Sequence, residues 1–275
     1  MSGLGQEVRQ RNSVRQFVND HPMVTFVPLA YVLSWMTIPF LGDPIGTGPF
    51  LAAVIVLSLT KGWAGVKSLG RQMIQWRVNW RWYALAILLP VVTAVSASVI
   101  SVALGADTPT AGQLATWTEI PVTFLIVLLI PLTGPWEEPG FRGFALTRLT
   151  ETQSVLMAAL TIGAIHVFWH TPLFLNGSIP ASDVVWIVAA SIVFAFMVIR
   201  SGGSVLLAML MHATNNAVSD YVSTIFSGGD AVLQGWVRAT MWSVIAIVVV
   251  VVAGRSFATR PQSELSPVEP VLGSA

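Results

Sequence analysis

Three short stretches of this chain carry residue types that apolar helices rarely keep. The first is Glu137-Glu138-Pro139-Gly140-Phe141-Arg142, directly after an apolar run that ends in Pro131-Leu132-Thr133-Gly134-Pro135. Gly134, Pro135 and Pro139 interrupt that run, so a new helix is expected to begin near the two glutamates. Glu138 and Arg142 then stand four apart and can pair on one face. Glu137 lies about 100° around the helix, free to face something else. Two carboxylates in unlike surroundings can divide into one structural ion and one proton-accepting base. A cytoplasmic-edge loop of solvated charges is the plainer alternative.

The second stretch, Ile162 to Phe174, holds His166 and His170 four apart on a Gly- and aromatic-rich helix. That spacing suits a proton relay or a metal. The third, Ser204 to Asn216, puts His212 and Asn216 on one helical face, where both can donate hydrogen bonds. Asn215 points elsewhere, and Asp220 lies two turns beyond His212. Ionisable groups inside membrane helices are costly, so they tend to face a bundle interior and to act there. The fourth histidine, His21, sits at the edge of an apolar run and reads as interfacial.

The elements that must position these residues are membrane spans. Of 275 residues, 10% are charged and 54% hydrophobic, against about 25% charged in a soluble domain. Eight apolar segments are expected, at about 23–41, 48–60, 82–104, 120–134, 154–174, 184–199, 203–226 and 236–254. Most match the length needed to cross a hydrocarbon core as helices, which gives an all-α, polytopic bundle of about eight transmembrane helices. Basic residues recur at 9–15, 61–81, 142–148, 200 and 255–260, and alternate loops lack them except for Arg238. The positive-inside rule then places both termini in the cytoplasm, with the protein in what we read as a bacterial inner membrane. Residues 1–22 form a cytoplasmic N-terminal segment, 23–254 the bundle with a core at about 115–225, and 255–275 a disordered tail. Between Lys61 and Trp82, basic residues alternate with tryptophans, as in an amphipathic surface segment. The absence of cysteine excludes disulfides and thiolate chemistry, and a net charge of +1 points to no nucleic-acid partner.

Glu-Glu-x-x-x-Arg, then Trp-His-x-Pro-Leu-Phe, then His-x-x-x-Asn, in this order, resembles the CAAX protease and bacteriocin-processing (CPBP, Abi) family of intramembrane endopeptidases. The resemblance spans roughly residues 115–225. It implies that Glu137 is the catalytic glutamate and Glu138 its companion. Arg142, His170, His212 and Asn216 are the other motif residues. One position departs from the pattern: the residue four before the second-motif histidine is usually aromatic, and here it is His166. The implied reaction is hydrolysis of a peptide bond in a protein or peptide substrate held among membrane lipids. With no cysteine and no serine paired to a base, water is the expected nucleophile. Glu137 with His170 would take its proton, and His212 with Asn216 would serve the oxyanion.

No organic cofactor is expected. A divalent metal such as zinc is left open, with Glu137, His170 and His212, and His166 besides, as its candidate ligands. A non-catalytic immunity, scaffold or transport protein is the alternative from another class. Hydrolysis requires the four acting side chains to converge on a water-sized space, expected to open to the cytoplasmic side. On straight helices His170 would lie about 24 Å along its span and His212 about 14 Å along its own, so a tilt or break is needed for them to meet.

Overall fold

The structure is a computed structural model and describes residues 13–259. The polar start through residue 12 and the tail from residue 260 lie outside the described residues. The described chain is helical, with α1 at Pro22–Trp35, α2 at Thr47–Thr60, α3 at Gly62–Met73 and α4 at Trp80–Ala103. It continues with α5 at Ile120–Leu129, α6 at Val155–Trp169, α7 at Asp183–Arg200, α8 at Val205–Ser223 and α9 at Gly228–Ala253. Five helical stretches among the described residues are long and apolar enough to cross a membrane: Pro22–Leu41, Trp80–Ala103, Ala111–Glu137, Asp183–Arg200 and Gly228–Ala253. The helices α2 and α6 are apolar but shorter. The 19-residue α8 has the length, but His212, Asn215, Asn216 and Asp220 dilute its apolar character. It is an integral membrane protein of the all-α, polytopic kind.

Local chemistry sets the helix limits. Ser154 caps α6 by accepting from the Met157 amide, and Asn79 caps α4 by accepting from the Arg81 amide. Two expected segments are interrupted. The fourth does not run through to 134, because Ile130 turns extended and Pro131 follows. The fifth breaks at His170, where α6 ends and a short helix, Thr171–Leu175, begins with Pro172 in its first turn. Proline is accepted there because first-turn amides have no intrahelical partner.

Buried α8 is the hub. It packs against α4 and α5, while α7 packs between α6 and α9, and α1 pairs with α2. The two ends of the bundle differ in charge. At one end α3 docks by Leu69, which is buried, and Gln75 bonds the carbonyls of Ser201 and Gly202. There Phe257, in the turn Arg255–Ala258, meets Phe196. Lys67, Arg71, Arg77, Arg148, Arg200 and Arg255 belong to the segments at this basic end. At the other end Asn176 bonds Asp43, the Asp107 amide bonds Asp230, and Gln113 bonds the carbonyls of Thr224 and Ile225. No lysine or arginine occurs in those loops.

Candidate active site

The break between α5 and the basic end builds the first part of the site. A tight turn at Gly134–Glu137 leads into a π-helical turn at Pro139–Ala145. Such wide turns recur at functional sites, because they turn side chains away from the regular helical order. Gly140 is required here, since a Cβ would collide with the Pro49 backbone. Residues Glu137 through Leu146 are all buried. Arg142 sits 3.3 Å from Glu138 Oε2 and donates to Ser191 Oγ at 3.0 Å. The guanidinium thereby ties this turn to α7, and the pair is the i,i+4 contact expected from the sequence.

Two histidines reach the glutamates from opposite sides. His166 Nε2 lies 2.6 Å from Glu137 Oε2, and its Nδ1 lies 3.5 Å from Arg142 Nη1. A guanidinium only donates, so Nδ1 accepts and the ring proton sits on Nε2, pointing at the carboxylate. His170 Nδ1 donates to the His166 carbonyl at 2.9 Å, which leaves His170 Nε2 with a free lone pair. His212 Nδ1 lies 2.7 Å from Glu138 Oε1. Each carboxylate therefore has its own imidazole.

Contacts from α1 fix the depth of α6. Tyr31 donates to the Ile165 carbonyl, Trp35 to the Trp169 carbonyl, and Trp169 in turn to Ser34 Oγ. On α8, His212 Nε2 and Asn216 Nδ2 converge beside Gly134: a Cβ built there would stand 2.5 and 2.8 Å from them. Glycine leaves that space open for another group. Asn215 turns to Asn216 Oδ1 at 3.5 Å. The Nδ1 of His212 is taken by Glu138. Glu137, His170, His212 and Asn216 all line one cavity of about 750 Å³, so the two histidines meet despite their unequal positions along straight helices.

The family model for "Type II CAAX prenyl endopeptidase Rce1-like" matches residues 116–218, the stretch that carries Glu137, Glu138, Arg142, His166, His170, His212 and Asn216. The chain is also 25% identical over 186 residues to CAAX prenyl protease 2 of Methanococcus maripaludis, covering 60% of this chain and 65% of that protein. Over the stretch that holds the site, the chain is therefore similar to CAAX prenyl proteases. It thus spans less than two thirds of the length of that curated relative.

Against the CAAX protease pattern, the departure at His166 is structural as well as sequential. His166, rather than His170, is the histidine bonded to Glu137. His170 stays within 4.8 Å of this pair without bonding Glu137 itself. Ser191, the partner of Arg142, carries no motif, and serine in an apolar helix gave no signal. The cluster of possible metal-binding atoms also differs from the expected set: Glu137, His166 and His170 lie within 4.8 Å of one another, while His212 turns to Glu138. Two ligands of one tetrahedral zinc sit about 3.3 Å apart, given bonds near 2 Å. The His166–Glu137 distance of 2.6 Å is a hydrogen bond, and His166 Nε2 holds a proton where a ligand needs a lone pair. As placed, these two atoms are hydrogen-bonded to each other and not spaced as two ligands of one zinc.

Proposed function

We propose that the protein is an intramembrane endopeptidase in which Glu137 activates water for attack on a peptide carbonyl. The observation that carries this reading is a buried carboxylate, fixed by His166, on the wall of a cavity that His170, His212 and Asn216 also reach. In the proposed reaction Glu137 takes a proton from water as the oxygen bonds the carbonyl carbon, then returns it to the leaving amine as the C–N bond breaks. His170 Nε2, held open by the bond at Nδ1, is a second acceptor for the water's proton. Asn216 Nδ2 and His212 Nε2 face the developing oxyanion beside Gly134. His212 gives its Nδ1 proton to Glu138, so donation from Nε2 requires the doubly protonated ring, with Glu138 as its counter-ion. Arg142 holds Glu138 in turn.

The substrate class is a polypeptide segment in or at the membrane. The matched relative's name makes a lipidated C-terminal segment the first to try, and paired lipidated and unlipidated peptides separate recognition of the lipid from recognition of the chain. Metal-independent hydrolysis is part of the proposal, and activity that survives chelation in metal-free protein is expected. A transport, scaffold or immunity role predicts instead that Glu137→Gln leaves function unchanged.

A further inference from the structure

We infer that the site opens to the non-cytoplasmic face of the membrane, so that its ligand enters from outside. The cavity runs from buried Glu137 and half-buried His170 to Asp43, Ser178, Pro180 and Val232, which are exposed and form its mouth. These mouth residues belong to the acidic end of the bundle, where Asn176 meets Asp43 and Asp107 meets Asp230. Among the described residues, the only arginine on the cavity wall is Arg238, which is bound to Asp183 at 2.6 Å and to Ser219.

From the basic end the same site is sealed. The turn from Glu138 to Leu146 is buried throughout, and Leu69 of α3 packs where a Gly143 Cβ would stand, at 2.5 Å. Positively charged loops stay in the cytoplasm during insertion, each short basic loop adding to the bias. With Lys67, Arg71, Arg77, Arg148, Arg200 and Arg255 on segments of the sealed end, that end is cytoplasmic and the mouth faces outward. This inference runs opposite to the expectation of a cytoplasmic opening. It arises because the break after Leu129 and the inward loop 42–46 joined to it leave the outer half of the bundle hollow: the Gly46 amide bonds the Leu132 carbonyl at 2.8 Å, and Thr47 bonds the Pro131 carbonyl.

The access route does not depend on the reaction. That the entrant is a polypeptide rests on the proteolytic reading. The entrant would then be an exported or outward-facing stretch of a membrane-attached chain.

The chain has no cysteine, so each introduced thiol is unique. Ser178→Cys and Val232→Cys probe the mouth, Leu173→Cys the cavity wall one turn past His170, and Ser68→Cys the exposed face of α3. A charged, membrane-impermeant thiol reagent is applied to intact spheroplasts and to inverted vesicles. The expected result is that the mouth and wall thiols react in spheroplasts, while Ser68→Cys reacts only in inverted vesicles. The reverse pattern overturns the inference, as does a Leu173 thiol that reacts only from the cytoplasmic side. Two mouth positions guard against one variant failing to fold. The readout is labelling, so it stands or falls independently of peptidase activity.

Discussion

At the scale of single residues, the site depends on which ring nitrogen holds which proton. Glu137→Gln keeps the shape of the side chain and removes its basicity, so turnover should fall by about 10²–10⁴-fold, the usual share of a general base. His166 acts through Glu137 and is a positioning residue. His166→Phe restores the aromatic residue usual at this place, but it leaves Glu137 without its donor. The expected change is a lower kcat with KM little altered; an unchanged kcat would assign His166 to packing. Gly134→Ala places a methyl group 2.5 Å from His212 Nε2. It should depress kcat while thermal unfolding in detergent stays near that of the parent, and a normal kcat would remove the oxyanion role of that space.

The spacing of Glu137, Glu138 and Arg142 was readable in the sequence. Neighbouring carboxylates on one helix cannot share a face, and the structure gives each its own histidine. Which histidine meets Glu137 was harder to read, because it depends on the depth and rotation of α6, which the contacts from α1 hold. The end of α6 was legible in Pro172, which disfavours helix at the residue before it, and the break comes at His170.

At the scale of elements, a buried charged cluster holds three segments in register. Arg142 in the π-helical turn meets Ser191 of α7, and Glu138 meets His212 of α8. Removing one partner leaves a charge stranded in a low-dielectric interior. Arg142→Met should therefore cost about 3–5 kcal/mol in denaturant titration of the detergent-solubilised protein. Adding Glu138→Gln should recover much of that loss, since the remaining charge goes and the amide oxygen still accepts from His212. Full additivity of the two losses would contradict this account. Apolar runs revealed the spans, but α5 and α6 are shorter than those runs. Hydropathy continues through Leu132 and through Phe174, whereas Pro131 and Pro172 set the breaks.

At the scale of the molecule, an apolar bundle encloses a polar cavity, and the charge on its two ends gives it a direction. The end-to-end asymmetry of lysine and arginine was legible from the sequence. The side on which the cavity opens was not, because it depends on how deep the broken α5 and the 42–46 loop sit, and both are set by tertiary contacts. Metal-free chemistry also belongs to this scale, because it concerns the whole set of donors. Protein stripped with a chelator and checked for zinc, iron and manganese should retain its turnover. Loss on stripping with recovery on adding one metal would replace the proposed mechanism.

The most direct test of the central claim works whatever the substrate is. Purified wild-type protein and Glu137→Gln protein are each incubated with membranes from cells that lack this protein, and new protein termini are counted by mass spectrometry. New termini within membrane-associated proteins are expected with the wild type alone. The same termini from both proteins, or none from a well-folded wild type, would contradict a Glu137-dependent peptidase.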